Sequence, residues 1–293
     1  MENIFEILKA LLFGIVEGIT EWLPVSSTGH MILLNEFVKL NVSEQFWDMF
    51  LVVIQLGAIL AVVLIFWNTI WPFALAKNTD FSQNLGRRGF WNQKYWGVGP
   101  IAVKMEIIVN WLKVVVACLP AIVFVVLDLD DVCDALFYNA VGVSIALIVF
   151  GIAFIIVETK NTGRRAVVLE MTDITWKMAA LIGVFQLLAA AFPGTSRSGI
   201  TMTVARGLKV DRESAAKFSF LLSTPIVAAA VLVDITEFAL TSLAFWVGVI
   251  SSFIVGLIVV KFLMNYLKKG SFKIFAIYRV ILGIIILGLI FVR

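Results

Sequence analysis

The sequence predicts an all-α polytopic membrane protein with six transmembrane helices and two re-entrant helical hairpins, arranged as an inverted-topology repeat. Three observations support this prediction: long apolar runs, two apolar segments interrupted by polar turns, and an outline shared by the two halves of the chain. The residues are 61% hydrophobic and 15% charged, whereas soluble domains carry about 25% charged residues. The net charge of +3 is too small to favour nucleic acid as a partner.

Six apolar runs have the roughly 20 residues needed to cross the hydrocarbon core of a membrane. We place them near 50–72, 107–127, 138–157, 217–236, 243–263 and 274–292. Two further apolar segments, 7–38 and 176–207, are interrupted by polar turns at 24–29 and 193–199. Because each half of these segments is too short to span, we expect both segments to dip into the membrane and return.

The loop charges predict the orientation of the spans. Lysine and arginine concentrate in the loops 73–104, 158–175 and 264–273, which the positive-inside rule places in the cytoplasm. The alternate loops, 128–137 and 237–242, contain no lysine or arginine. With six crossings, this arrangement puts both termini outside.

The two halves of the single membrane domain, 1–293, share a weak internal repeat. We define repeat one as about 7–157 and repeat two as about 176–292, and each contains one interrupted segment and three spans. Because three crossings leave the chain on the opposite side of the membrane, the second copy must have the opposite orientation. The broken helices of the two copies are then expected to meet near the midplane of the membrane. At an offset of 169 residues, Ala10, Leu12, Gly14, Pro24 and Ser27 align with Ala179, Leu181, Gly183, Pro193 and Ser196, and Glu17 aligns with Gln186.

Two carboxylates precede the first polar turn. Glu17 and Glu21 are four residues apart, so they lie on one face of a helix, where like charges repel. In a low-dielectric site such a pair persists by sharing a proton, pairing with a cation or binding a metal ion. The alternative is a solvated helix end.

The first turn itself carries hydroxyl groups and the only histidine of the chain. Ser26, Ser27 and Thr28 follow Pro24, and one of them is expected to cap the second half-helix. The same helix N-terminus directs free N–H groups and a positive dipole end toward a phosphate. His30 is either a satisfied core residue or an acid, a base or a phosphate ligand.

The second turn contains an arginine that requires an anion in apolar surroundings. Arg197 stands between two serines and has two candidate partners. One is Glu17 or Glu21, in a structural ion pair, and the other is a substrate phosphate held by two parallel hydrogen bonds. We expect the phosphate to be the functional partner and the ion pair to be the resting state.

Together these residues resemble the undecaprenyl-diphosphatases, the bacitracin-resistance type of membrane phosphatase. The resemblance rests on two long motifs, 17–30 and 193–201, and extends to 218–222 and 276–279. It covers the whole chain, although the region 73–135 matches no motif that we can quote. The resemblance implies removal of the terminal phosphate from undecaprenyl diphosphate, which recycles the cell-wall lipid carrier and confers bacitracin resistance. It also implies a multi-pass protein of the bacterial inner (plasma) membrane with its active site open toward the outer face.

The resemblance further implies roles for individual residues. Glu17 and Glu21 are the expected ligands of a divalent cation, Mg²⁺ or Ca²⁺, or the acid–base carboxylates. Ser27 is the candidate nucleophile, His30 a proton carrier and Arg197 the phosphate clamp. Whether Ser27 attacks or only orients a water molecule stays open. Seven further residues of the two motifs are the expected substrate-binding residues: Ser26, Thr28, Gly194, Thr195, Ser196, Ser198 and Thr201.

Two alternative functions deserve comparison with the phosphatase. A transporter or flippase of a polyprenyl phosphate lipid is suggested by the inverted repeat with broken helices, but transport gives little use to a cluster of two glutamates, a serine and a histidine. A phosphatidic-acid-type phosphatase is weaker, since its signature needs more than one histidine and the chain has only His30. The expected partners are the polyprenyl diphosphate and the lipid bilayer, and a homodimer is left open.

Overall fold

The computed structural model describes residues 4–79, 93–234 and 242–292, which are mostly helical. Within these ranges, six helices are long and apolar enough to cross a membrane, which confirms the number of spans predicted from the sequence. In chain order, the helices are α1 (Ile4–Thr20), α2 (Ser27–Phe37), α3 (Glu44–Ile65), α4 (Trp67–Ile70), α5 (Met105–Val126), α6 (Leu129–Phe137), α7 (Ala140–Asn161), α8 (Trp176–Ala191), α9 (Arg197–Gly207), α10 (Arg212–Asp234), α11 (Leu243–Leu267) and α12 (Lys273–Val292). The six helices of membrane length are α3, α5, α7, α10, α11 and α12.

The helix α3 differs from its predicted bounds of 50–72 at both ends. It begins six residues earlier, after Ser43, whose hydroxyl accepts a hydrogen bond from the Phe46 N–H at 3.2 Å. It ends at Ile65, and the short helix α4 follows. Hydropathy alone does not locate such a helix start, because a polar first turn has a low apolar content although it is already helical.

Both interrupted segments form two helices separated by a turn. The turns occupy 21–26 and 192–196, and they end earlier than predicted because Ser27 and Arg197 already begin α2 and α9. The four helices have 17, 11, 16 and 11 residues, and each is therefore shorter than the roughly 20 residues of a span.

The second helix of each segment has the same N-terminal cap. Ser26 and Ser196 have φ values of 74° and 69°, a conformation that is uncommon for residues other than glycine. Their side chains accept hydrogen bonds from Gly29 N–H and Gly199 N–H, at 3.3 and 3.0 Å. The structure therefore pairs Ser26 with Ser196, whereas the 169-residue offset aligns Ser27 with Ser196. The second turn has one more residue between its proline and its cap.

The helix packing relates the two halves in the same way. The first helices of the two segments, α1 and α8, pack on α11 and α5, and these two spans also contact α3 and α10 respectively. Glycines permit both close approaches, since a Cβ on Gly14 would lie 2.2 Å from the Gly248 carbonyl oxygen and one on Gly183 would lie 2.4 Å from that of Ala117. The helices α7 and α12 pack against each other.

The segment 73–104, which the sequence analysis treated as a loop, contains an antiparallel sheet in its described part. Its strands are β1 (Phe73–Leu75), β2 (Tyr95–Val98) and β3 (Ile101–Lys104), in the order β1-β3-β2. The acidic loop 128–137 contains the amphipathic helix α6. Both elements are too short for the window of about 20 residues used to find spans.

Candidate functional site

The two polar turns meet. The guanidinium of Arg197 forms an ion pair with the carboxylate of Glu21, and the hydroxyl of Ser198 lies 3.3 Å from the carbonyl oxygens of Glu21 and Leu23. The sequence predicted that these turns would face each other, and they lie within side-chain reach.

The carboxylate of Glu21 links the serine of one turn to the arginine of the other. Ser27 Oγ donates a hydrogen bond of 2.8 Å to Glu21 Oε2, while Arg197 contacts Oε1. A serine hydroxyl bonded to a carboxylate can transfer its proton as the oxygen attacks. Arg197 holds the carboxylate in place and is itself a group that binds phosphate oxygens. The arrangement thus brings together a hydroxyl group able to attack, a carboxylate able to accept its proton and a guanidinium able to bind an anion.

A cavity of about 360 Å³ lies against this group. The N-termini of α2 and α9 both border it, so two positive helix ends favour an anion inside. Residues of both turns line the cavity together with side chains from the surrounding helices: Glu21, Ser26, Ser27, Thr28, Pro193, Gly194, Ser196, Arg197 and Ser198 from the motifs, and Gln55, Asp134, Tyr138 and Gln186 from elsewhere.

Glu17 borders a neighbouring cavity of about 740 Å³, which shares Ser27, Thr28 and Gln55 with the first. Its carboxylate is almost fully buried, and its Oε1 has no hydrogen-bond partner among the described residues. A buried carboxylate oxygen without a donor requires a proton or a cation. Glu17 therefore fits the expected divalent cation, whereas both oxygens of Glu21 already have partners in Ser27 and Arg197.

A cation site here would need ligands beyond the two glutamates. Across the described ranges, no three histidine, cysteine, aspartate or glutamate side chains cluster as a metal site. Mg²⁺ is commonly bound by one or two carboxylates, with substrate phosphates and water completing its shell. Two glutamates beside cavities that are bordered by two helix N-termini match that pattern.

His30 does not line the cavity that holds Ser27 and Arg197. Its Nδ1 lies 2.7 Å from the Ser26 carbonyl oxygen, which can only accept, so Nδ1 carries the hydrogen. Its Nε2 lies 2.7 Å from the Tyr278 hydroxyl, and the two rings stack with centroids 5.6 Å apart. Both residues border a separate, apolar cavity of about 460 Å³. His30 therefore bonds to the backbone of the first turn and does not border the cavity that contains Ser27 and Arg197.

Two predicted substrate-binding residues, Thr195 and Thr201, are also not part of the cavity lining. Thr195 is fully buried, and its carbonyl oxygen accepts a hydrogen bond from Arg279. The hydroxyl of Thr201 is 2.8 Å from the Arg197 carbonyl oxygen and 2.7 Å from Ser219 Oγ. These two threonines contact the backbone and side chains that shape the second turn, and they do not border the cavity.

Arg279 contacts the second turn, and the sequence analysis did not predict it as a site residue. This arginine of α12 is buried, and its guanidinium donates hydrogen bonds to the carbonyl oxygens of Gly194 at 3.0 Å and Thr195 at 2.5 Å. A Cβ on Gly199 would lie 2.6 Å from the same guanidinium, so glycine permits this approach. The signal in the sequence was an arginine within an apolar run, which marks a functional position by default.

Four further polar residues that line the first cavity were also missed. Gln55 and Gln186 are polar side chains within apolar helices, a pattern that the sequence does display. Asp134 and Tyr138 lie in and just after α6, and no sequence signal placed that acidic segment beside the turns. Both residues line the two cavities that contain Ser27, and α6 packs on α8.

The rim formed by α6 favours protonated groups. Burial raises the pKa of Asp134 above its ordinary value, and the nearby carboxylates of Asp130 and Asp131 raise it further. Burial also raises the pKa of Tyr138, as do the carboxylates of Asp134 and Asp48. Additional negative charge is therefore disfavoured at the edge of the cavity next to α6, unless a cation or Arg197 compensates for it.

The fold and the site define an integral membrane protein with an internal cavity bordered by groups that bind anions. Six helices of the described residues have membrane length, and three of them, α3, α5 and α10, line the cavities that contain the arginine, the two carboxylates and the serine. The sequence model of the family described as bacitracin resistance protein BacA matches residues 10–285, and the chain therefore belongs to this family.

Relatives in this family cover nearly the whole chain. It is 47% identical over 287 residues to Undecaprenyl-diphosphatase of Desulfitobacterium hafniense, in an alignment that covers 96% of this chain and 95% of the other. Undecaprenyl-diphosphatase 1 of Clostridium acetobutylicum is 47% identical over 292 residues, with 98% of both chains covered. Undecaprenyl-diphosphatase of Enterococcus faecalis is 44% identical over 290 residues, with 97% of both covered.

Proposed function

We propose that this protein hydrolyses undecaprenyl diphosphate to undecaprenyl phosphate and inorganic phosphate, and so recycles the cell-wall lipid carrier and confers bacitracin resistance. The observation that carries the proposal is the carboxylate of Glu21 between the hydroxyl of Ser27 and the guanidinium of Arg197, beside a cavity bordered by two helix N-termini. The names of the relatives agree with it.

In the proposed reaction, the terminal phosphate of the substrate replaces Glu21 as the partner of Arg197. Ser27 Oγ attacks this phosphorus, Glu21 accepts the hydroxyl proton, and the bond to the bridging oxygen breaks so that undecaprenyl phosphate leaves. Water then hydrolyses the phosphoserine and releases inorganic phosphate. If a water molecule attacks directly, Glu21 accepts its proton instead and Ser27 orients it. In both routes the helix N-termini and Arg197 stabilise the charge on the transferring phosphoryl group.

We also propose that Glu17 and Glu21 bind a divalent cation, Mg²⁺ or Ca²⁺, together with phosphate oxygens of the substrate. Such an ion would neutralise the diphosphate and polarise the phosphorus for attack. The orphaned Oε1 of Glu17 supports this role, because it has no other described partner. His30 and Tyr278 then contribute by holding the backbone of Ser26.

The same proposal includes the finer architecture. We infer two re-entrant hairpins, at 7–38 and 176–207, in two inverted copies that bring both turns into the membrane from opposite sides. The matching caps at Ser26 and Ser196, and the matching contacts of α1 with α11 and of α8 with α5, support this arrangement. The cavity reaches Asp134 of α6, and that segment lacks lysine and arginine, which supports an opening toward the outer face of the plasma membrane.

The decisive experiment measures phosphate release by the purified protein supplied with undecaprenyl diphosphate, with and without EDTA. We expect release that stops with EDTA and returns with excess Mg²⁺ or Ca²⁺. The matched control is Ser219→Ala, which removes a buried hydroxyl close to the site but outside the cavity lining. Intact turnover in Ser219→Ala and loss in Ser27→Ala would support the assignment. Lipid movement across vesicles without phosphate release would favour the flippase instead.

A further inference from the structure

The three-stranded sheet between α3 and α5 has one apolar face that the described part of the chain leaves exposed. In the strand register, Phe73 and Trp96 pair with Val103, and Leu75 pairs with Ile101. Because side chains alternate along a strand, these five share a face. The side chains of Phe73, Leu75, Trp96 and Ile101 are between 43% and 52% exposed, whereas that of Val103 is 9% exposed. Large apolar groups thus form one continuous surface.

The opposite face of the sheet has a different character. Tyr95 and Lys104 pair in the register and line a polar cavity of about 570 Å³ that also contains Glu106 and Glu170. Ala102, on this same face, is fully buried against the protein. The sheet is therefore amphipathic, with a polar side toward the helices and an apolar side away from them.

The chain connections place this sheet at the ends of two spans. The first strand follows α3 through the short α4, and β3 runs directly into α5 at Met105. A chain of aromatic contacts leads from the end of α3 to the sheet, since Trp67 stacks on Trp71 with centroids 4.8 Å apart and Trp71 meets Phe73 at 5.4 Å. Aromatic side chains are enriched where a membrane meets water.

We propose that the apolar face of this sheet docks into the headgroup region of the cytoplasmic leaflet and acts as an interfacial membrane anchor. Lys77 lies just after β1 and is exposed, and its charge complements anionic lipid headgroups. The aromatic and aliphatic side chains suit the boundary between headgroups and acyl chains. The anchor would hold the cytoplasmic ends of α3 and α5, two helices that also line the site.

Site-directed fluorescence tests the proposal on the intact protein. In a background in which Cys118 and Cys133 are replaced by alanine, Leu75→Cys and Ile101→Cys are labelled with an environment-sensitive dye and placed in nanodiscs containing phosphatidylglycerol. Two matched positions calibrate the signal: Ile254→Cys is exposed on the span α11, and Arg164→Cys is exposed in the loop after α7. Lipids carrying a nitroxide near the headgroup or deep in the acyl chain serve as quenchers.

We expect the labels at Leu75 and Ile101 to show blue-shifted emission and their strongest quenching by the headgroup nitroxide. The label at Ile254 should be quenched best by the deep nitroxide, and the label at Arg164 by neither. The proposal is overturned if Leu75 and Ile101 behave like Arg164. Blue-shifted emission without lipid quenching, in discs that hold two protein copies, would instead identify a second copy as the occupant and would also overturn it. None of these outcomes depends on the phosphatase activity.

Discussion

Glu21 and Arg197 form an ion pair although they are 176 positions apart in the chain. Each lies in a different interrupted segment, so the pair connects the two halves of the protein at the site. Glu21 also accepts a hydrogen bond from Ser27. The two charges of the ion pair therefore neutralise each other, and under the proposed function the substrate phosphate displaces Glu21 from Arg197.

Ser27→Ala distinguishes attack by serine from attack by water. If Ser27 only donates a hydrogen bond, its loss removes about 1.5–3 kcal/mol, which is roughly a ten- to few-hundred-fold decrease in rate. If Ser27 is the nucleophile, the variant should fall close to the uncatalysed background. We expect the second result, measured as phosphate release under single-turnover conditions. A normal rate in Ser27→Ala would leave water as the attacking group. Arg197→Lys is the comparison, because it keeps the charge but loses the paired hydrogen bonds, and should retain weak activity.

Glu17→Gln should raise the divalent cation concentration needed for half-maximal activity. The change removes one negative charge and preserves the shape, and glutamine already occupies the aligned position Gln186. Turnover should recover partly at high cation concentration, whereas Glu21→Gln should lose both cation affinity and turnover because Glu21 also contacts Ser27. Calorimetric titration of Mg²⁺ or Ca²⁺ checks the affinity directly. Unchanged cation binding in Glu17→Gln would contradict its role as a ligand.

His30→Gln and Tyr278→Phe should reduce turnover without removing a limb of the pH–rate profile. His30 contacts the Ser26 carbonyl and Tyr278, and it borders a cavity that excludes Ser27. The phenylalanine variant deletes one neutral hydrogen bond, worth about 0.5–1.5 kcal/mol, so its rate should fall by roughly ten-fold at most. The measurement is kcat/KM across pH for both variants and the unmodified protein. Loss of one limb in His30→Gln alone would restore His30 as a proton carrier.

Arg279→Met should abolish most activity and lower the melting temperature. It leaves the carbonyl oxygens of Gly194 and Thr195 without their buried donor, and bonds of this kind to a charged group contribute about 1.5–3 kcal/mol. Arg279→Lys retains a cation and should recover part of both properties. Thermal unfolding in detergent and phosphate release report the two effects. A stable, fully active Arg279→Met protein would show that the second turn holds its shape without this arginine.

Much of the fold was predictable from local sequence. Apolar runs long enough to cross a membrane identified the six spans found among the described residues, since hydropathy is a property of consecutive residues. The proline and serine residues near positions 24 and 193 identified the turns, because they interrupt a helix and cap the next one. The sheet at 73–104 was missed, as its three- and four-residue strands give a weak periodic signal.

The sequence by itself determined that the protein lies in a membrane and which motifs carry the polar groups of the site. Only the tertiary structure decided which groups share a cavity. It brought Glu21 to Arg197, turned His30 toward Tyr278, and placed Arg279 against the second turn. The physical reason is that helix pattern follows from neighbouring residues, whereas the direction in which a polar side chain points depends on how each helix is rotated and packed against distant parts of the chain.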